Sequence, residues 1–255
     1  MRNIWTLLVV TGVFFAGLGF PGLASAGDVL VLTVDGVINP VSSEYIIEGI
    51  QKAEETGASA VVLRLDTPGG LMTSMEDINK AVLGSDVPVI VYVWPSGGRA
   101  ASAGTFITYA AHVAAMAPST RIGAAHPVSM GGLPGQDSDK PDTVMTAKMT
   151  NDAVAQIVSF ARRRGRNADW AERAVRGAES VDEAVAESLG VVEYIADGLN
   201  ELLELADGDT VEVDGDTLVL DLKGKNMDFK DMDARERFLY TIFDPNIAYM
   251  LLLAG

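Results

Sequence analysis

Three runs of almost unbroken Val, Ile and Leu constrain this chain more than anything else in it: Val29-Leu30-Val31-Leu32-Thr33-Val34, Ala60-Val61-Val62-Leu63-Arg64-Leu65, and the stretch from Val87 to Trp94. Strands that are apolar on both faces must be covered on both faces, as in a parallel sheet between layers of helices. The intervening segments read as crossover helices. Glu44 to Thr56 places Ile46, Ile47, Ile50 and Ala53 on one side and stops at Gly57, after a connection over Val37 to Val41 closed by Ser42-Ser43. Met72 to Leu83 is helical up to Gly84. This rhythm predicts an α/β fold with parallel pairing.

The pattern continues downstream. Thr105 to Ala111 predicts a short helix, Val113 to Met116 a strand, and Ile122-Gly123-Ala124-Ala125 another strand. Ser129 to Pro141, rich in Gly, Pro, Asp and Ser, predicts a mobile surface loop. Asp142 to Arg164 is the longest predicted helix, with basic residues at the end where the helix dipole favours them. Asn167 to Val175 and Val181 to Leu189 predict two more helices, Val191 to Ile195 a strand, and Leu199 to Leu205 a short helix. Thr210 to Leu220 reads as a hairpin around Asp214-Gly215-Asp216, a small β appendage, and Ala234 to Tyr240 as a further helix.

Both ends carry apolar segments. Residues 1–26 read as an export signal: Arg2, an apolar core from Ile4 to Phe20, then Leu23-Ala24-Ser25-Ala26 at the cleavage-type positions. The competing reading is an uncleaved N-terminal anchor, and either places the domain outside the cytoplasm. The run from Ile247 to Ala254 is too short for a bilayer span, which needs about 20 residues. It reads as the start of a membrane helix cut by the end of the sequence, or as a terminal helix packed on the domain.

Composition narrows the chemistry. With no cysteine, a disulfide framework, a thiol nucleophile and cysteine-based zinc sites are all excluded. Two histidines, His112 and His126, leave little for a Ser-His-acid triad or a multi-histidine metal site. A net charge of −16 argues against nucleic-acid binding through a basic surface.

The candidate nucleophile is Ser102, in Pro95-Ser96-Gly97-Gly98-Arg99-Ala100-Ala101-Ser102-Ala103-Gly104-Thr105. A strand, a Gly turn and tiny residues around one serine describe a sharp strand-to-helix junction; the plainer reading of Ser102 is a helix N-cap. A serine needs a base, and with so little histidine lysine is the natural one, provided burial lowers a lysine pKa from roughly 10.4 toward neutrality. Seven lysines occur, so each can be weighed. Lys52 and Lys80 lie on polar helix positions, Lys140 in the loop, and Lys223, Lys225 and Lys230 in a polar tail. Lys148 lies beside the stripe of Val144, Ala147, Val154, Ala155 and Val158 and is expected to point partly inward; the plainer reading is a lysine snorkelling at the stripe edge.

Asp66-Thr67-Pro68-Gly69-Gly70 ends a parallel strand, where open α/β sheets place their sites. Gly69 and Gly70 could turn backbone N–H groups toward an oxyanion or align an extended substrate; an ordinary turn would also account for the motif. Ser96 reads as turn chemistry, and His112 and His126 as structural residues.

Asp66-Thr67-Pro68-Gly69-Gly70, the segment Ala100 to Thr105, Met116-Ala117-Pro118 with Ile122-Gly123-Ala124, and Lys148-Met149-Thr150-Asn151 together resemble the membrane-bound serine proteases of the NfeD family, the stomatin-operon partner proteins. The resemblance runs from about Val29 through Ala206 and into Asp244-Pro245-Asn246. It implies a fold of the Clp-protease/crotonase type and a Ser-Lys dyad with Ser102 as nucleophile and Lys148 as base. It further implies oxyanion or substrate binding around Gly69, Gly70 and Ala103, homodimerisation, and cleavage of hydrophobic segments in stomatin-like membrane proteins. No cofactor or metal is implied.

The expected division is a signal over residues 1–26, a protease domain over 27–206, a hairpin and polar linker over 207–233, and the start of a membrane-associated segment over 234–255. The competing functions are a membrane-organising scaffold for a stomatin-like partner and a signal-peptide-peptidase-like protease.

Overall fold

The computed structural model describes residues 27–128 and 143–243, together with 247 and 250. The expected signal, the predicted loop from Ser129 to Pro141 and most of the C-terminal apolar run lie outside the described residues.

β1 (Val29–Asp35) is followed by α1 (Pro40–Thr56), which starts four residues earlier than its apolar periodicity predicts. Asn39 caps it: Asn39 Oδ1 accepts the Ser42 N–H at 3.0 Å, Ser42 Oγ accepts the Asn39 N–H at 2.9 Å, and Pro40 fills the first helical position. β2 (Ala60–Asp66), α2 (Met72–Leu83) and β3 (Val89–Val93) follow as the apolar pattern predicts. Next come β4 (Arg99–Ala101), α3 (Ala103–Ala110), β5 (Val113–Met116) and β6 (Arg121–Gly123).

The C-terminal half begins with α4 (Thr143–Arg164) and α5 (Ala168–Arg176). The helix predicted from Val181 to Leu189 is instead β7 (Ser180–Asp182) followed by α6 (Glu183–Ser188). Asp182 Oδ1 accepts the Val185 N–H at 2.9 Å and so caps α6, while Ile122 takes Val181 as its antiparallel partner. β8 (Tyr194–Ile195), α7 (Leu199–Ala206), the hairpin of β9 (Thr210–Val213) and β10 (Asp216–Val219), β11 (Met227–Lys230) and α8 (Ala234–Ile242) complete the fold.

The main sheet has six parallel strands in the order β11-β1-β2-β3-β5-β8. The segment read as a polar tail thus supplies an edge strand, pairing Val29 with Met227 through Leu32 with Lys230. One face of the sheet, through Leu30, Leu32, Leu63 and Val91, packs against α1 to α5. The other, through Val29, Val31, Val62 and Ile90, packs against Leu202 and Leu203 of α7 and Val211 and Val213 of the hairpin. Coverage on both sides is why these strands carry no polar alternation. A separate small sheet, β4-β6-β7, is parallel between β4 and β6 and antiparallel between β6 and β7. Among the described residues no helix is long and apolar enough to cross a membrane.

α3 is buried along its whole length and gripped at its C-terminal end. Arg166, with its side chain 1% exposed, donates to the carbonyls of Thr108, Tyr109 and Ala111 at 2.9–3.1 Å and in bidentate fashion to Glu193 at 2.7 and 2.8 Å. Arg164 Nε donates to Ala110 O at 3.0 Å. Guanidinium groups thus satisfy carbonyls that the helix end leaves unpaired.

His112, just beyond, accepts the Val89 N–H on Nδ1 at 3.0 Å. Burial, reinforced by the positive charges of Arg164, Arg163 and Arg166, pushes its pKa down to about 3. Above about pH 6.5 the imidazole is neutral whether the chain is folded or not, and it adds no pH dependence. Below that, the unfolded chain binds a proton that the folded protein refuses until about pH 3, so stability falls with acidification across this window, by at most about 1.4 kcal/mol per pH unit. Urea unfolding of wild type and His112→Gln should therefore show the wild-type advantage shrinking from pH 7 to pH 4. A constant difference across that range would contradict the buried neutral imidazole.

Candidate active site

The chain reaches the site along β2. Past Asp66 the backbone continues beside β4: the Thr67 N–H donates to Arg99 O at 2.7 Å, and the Ala101 N–H donates to Thr67 O at 3.0 Å. Asp66 Oδ1 accepts the Arg99 N–H at 2.9 Å and fixes the preceding turn. Ser102 then sits between β4 and α3 at φ 52° and ψ −113°, a conformation that costs a non-glycine residue on the order of 1–3 kcal/mol.

The surroundings impose that conformation. The Ser102 N–H donates to Gly123 O at 3.0 Å, and Ser102 O accepts the Thr105 N–H at 3.0 Å. Two residues on, a Cβ at Gly104 would lie 2.6 Å from Thr67 Cγ2, so glycine lets α3 approach β2. Ser102 holds the N-cap position of α3, yet its side chain accepts no hydrogen bond from the first turn. The capping role that a serine here suggests is unused, and the hydroxyl is not consumed by the helix.

Gly69 lies against this serine. Its φ is +116°, and a Cβ there would sit 2.7 Å from Ser102 Cβ and 3.2 Å from Ser102 Oγ, in the space a reacting carbonyl would need. The Gly69 N–H donates to Thr67 Oγ1 at 3.0 Å, so Gly69 contributes clearance rather than a free donor. Gly70 differs. Ile38 uses both its backbone groups on the flanking residues, donating to Gly69 O at 2.9 Å and accepting from the Leu71 N–H at 2.8 Å. In a parallel bridge of this kind, the partner residue's own N–H and C=O point to the opposite edge. Among the described residues, neither the Gly70 N–H nor the Ala103 N–H has an acceptor.

Ser102, Gly69, Gly70 and Ala103 line one cavity of about 570 Å³. Its lining is largely apolar, with Val37, Leu71, Met72, Met75, Phe106, Ala125, Val128, Met149, Ala153 and, from just beyond α8, Phe243. Glu76 and Asp152 are the charged members of the lining. The positive end of α3 points at Ser102, where developing negative charge would be favoured. Such a site can hold an extended apolar chain against a hydroxyl and two free amides.

Residues 28–216 match the family described as NfeD1b, N-terminal domain. The membrane-bound protease PH1510 of Pyrococcus horikoshii is 35% identical over an alignment of 257 residues, covering all of this chain and 56% of that protein. The chain belongs to the NfeD family. It spans little more than half the length of that relative.

Two solved structures of the 1510-N membrane-bound stomatin-specific protease share its fold. One, a serine-to-alanine mutant, has a TM-score of 0.75 at 33% identity and covers 82% of this chain and 100% of that one. The other, a lysine-to-alanine mutant in complex with a substrate peptide, has a TM-score of 0.76 at 32% identity, over 86% of this chain and 99% of that one. The NfeD chain thus has the parallel α/β fold that its strand pattern predicts, of the Clp-protease-like kind that the family resemblance implies.

In this NfeD domain the apolar stripe of α4 starts later than the sequence pattern suggests. Burial begins at Thr150 and continues through Ala153, Val154, Ile157, Phe160 and Ala161, while Val144 and Ala155 are exposed. Lys148 is accordingly exposed in the single chain and outside the cavity lining, not inward as its neighbours suggested. The reason is that α4 packs on the body only from its second turn onward. Lys148 precedes Asp152 by one helical turn and Met149 directly, and both of those residues line the cavity.

His126 is tied down by Nδ1 against Val175 O at 2.9 Å, and Ser96 is exposed in its turn. Thr67 and Asp66 brace the site, a role the motif alone did not reveal. Phe106, Met149 and Phe243 were missed as cavity residues; the first two are apolar positions on predicted helices, and nothing in the sequence ties Phe243 to the other end of the chain.

Proposed function

We propose that this chain is a serine endopeptidase acting on extended apolar segments. Ser102 Oγ attacks the scissile carbonyl carbon, Lys148 takes the hydroxyl proton, and the Gly70 and Ala103 amides receive the oxyanion. The C–N bond then breaks, the leaving amine takes the proton from Lys148, and water hydrolyses the acyl ester to free Ser102. Gly69 keeps the attack path open. The substrate strand lies along the free edge at Gly70, and its apolar side chains enter the cavity. Lys148 acts from α4, beside the cavity residues Met149 and Asp152.

The observation that carries this reading is Ser102 itself, strained, uncapped, and facing a glycine within an apolar cavity. The relative's description as stomatin-specific supports a stomatin-like membrane protein as substrate, and its membrane-bound description supports membrane association here. Export by residues 1–26 and a homodimer complete the proposal.

The test is incubation with peptides from apolar membrane-protein termini, read by mass spectrometry, alongside labelling with an alkyl fluorophosphonate. Cleavage together with label on the peptide containing Ser102 is the expected result. Binding of the peptides with neither cleavage nor label would favour the scaffold alternative.

A further inference from the structure

We propose that Phe243 determines which side chains the cavity accepts, so that the C-terminal helix is part of the specificity apparatus; this rests on the function proposed above. Among the described residues, every other one lining the cavity lies between Val37 and Gln156. Phe243 arrives from the far end of the chain, immediately after α8, and stays 51% exposed while lining the cavity. A large ring at the mouth of an apolar cavity has unburied area that an incoming apolar side chain would cover.

The placement of α8 depends on its attachments more than on its packing. The helix buries none of its own residues. A full capping box fixes its start: Asp233 Oδ1 accepts the Glu236 N–H at 2.7 Å, and Glu236 Oε2 accepts the Asp233 N–H at 2.6 Å. Near its end, Tyr240 Oη lies 3.2 Å from Asp35 O and 3.1 Å from Val37 O, its hydroxyl donating to these carbonyls. The dock is shaped for it: Gly36 has φ +126°, and a Cβ there would come within 2.7 Å of Tyr240 Oη. Val37, which receives the hydroxyl, is itself a cavity residue. Tyr240 therefore ties α8 to a turn that contributes to the cavity lining, three residues before Phe243.

The test separates binding from turnover. In a Ser102→Ala background, fluorescence anisotropy with a labelled apolar peptide should show about a tenfold weaker Kd for Phe243→Ala, and Phe243→Leu should recover most of the loss. Tyr240→Phe, which removes a hydroxyl and no apolar surface, should weaken binding in the same direction. With Ser102 intact, Phe243→Ala should raise KM about tenfold and change kcat less than twofold. An unchanged Kd and KM for Phe243→Ala in a protein that still cleaves would overturn this role and leave the proposed protease standing. A weakened Kd in a protein that cleaves nothing would keep Phe243 as a binding determinant and reject the protease.

Discussion

Alanine at Ser102 or at Lys148 is expected to lower the rate of apolar-peptide cleavage by at least about 10³-fold, a loss of roughly 4 kcal/mol in transition-state stabilisation. Losing Ser102 removes the attacking oxygen. Losing Lys148 removes the acceptor for its proton, and Lys148→Arg should fail equally, because a guanidinium stays charged. The double variant should be no slower than either single one, since a nucleophile and its base act as a unit. Neither change should alter stability much. Alanine meets the same backbone constraint as serine at position 102, and Lys148 is exposed. The check is single-turnover cleavage by wild type and each variant under the same conditions. A variant within tenfold of wild type would remove its residue from the dyad.

The second large effect concerns stability. Arg166→Ala is expected to cost about 3–5 kcal/mol, because it strips three backbone carbonyls at the C-terminal end and cap of α3 and a bidentate carboxylate of their common partner inside the protein. For a domain of this size that lowers Tm by on the order of 10 °C. Glu193→Gln should cost less, since Glu193 is partly exposed and the amide oxygen can still accept the Ala114 N–H that the carboxylate takes at 2.6 Å. Calorimetry of the two variants measures this directly. The same contacts hold the C-terminal end of α3, whose other end carries Ser102, so Arg166 acts as a positioning residue for the site. If Arg166→Ala melts within 2 °C of wild type, that grip is not what holds α3.

Much of the fold was legible because long apolar runs report burial on both faces, whatever they pack against. The elements that were misread are short or decided by pairing. β4, Arg99-Ala100-Ala101, has no strand-forming composition, and it exists because Thr67 and Ile122 offer it backbone partners. Val181 looked helical beside Glu183 to Ser188 until Ile122 took it as a strand partner. β11, among charged residues, became a strand because β1 had an unpaired edge. Hydrogen-bond partners distant in the chain leave no trace in local periodicity.

The same division runs through the site. The sequence by itself determined the chemistry on offer: one serine among small residues, a double glycine at a strand end, few histidines, no cysteine, and a lysine on the longest helix. Composition settles that by listing which groups exist. Only the tertiary structure decided geometry: that Ser102 sits at positive φ with its hydroxyl not spent on capping, that Gly69 yields space while Gly70 and Ala103 keep amides free among the described residues, that Lys148 is exposed and outside the cavity lining, and that Phe243 joins that lining. Those facts depend on segments meeting across the sheet, and a side chain's direction there is set by its packing neighbours rather than by its neighbours in sequence.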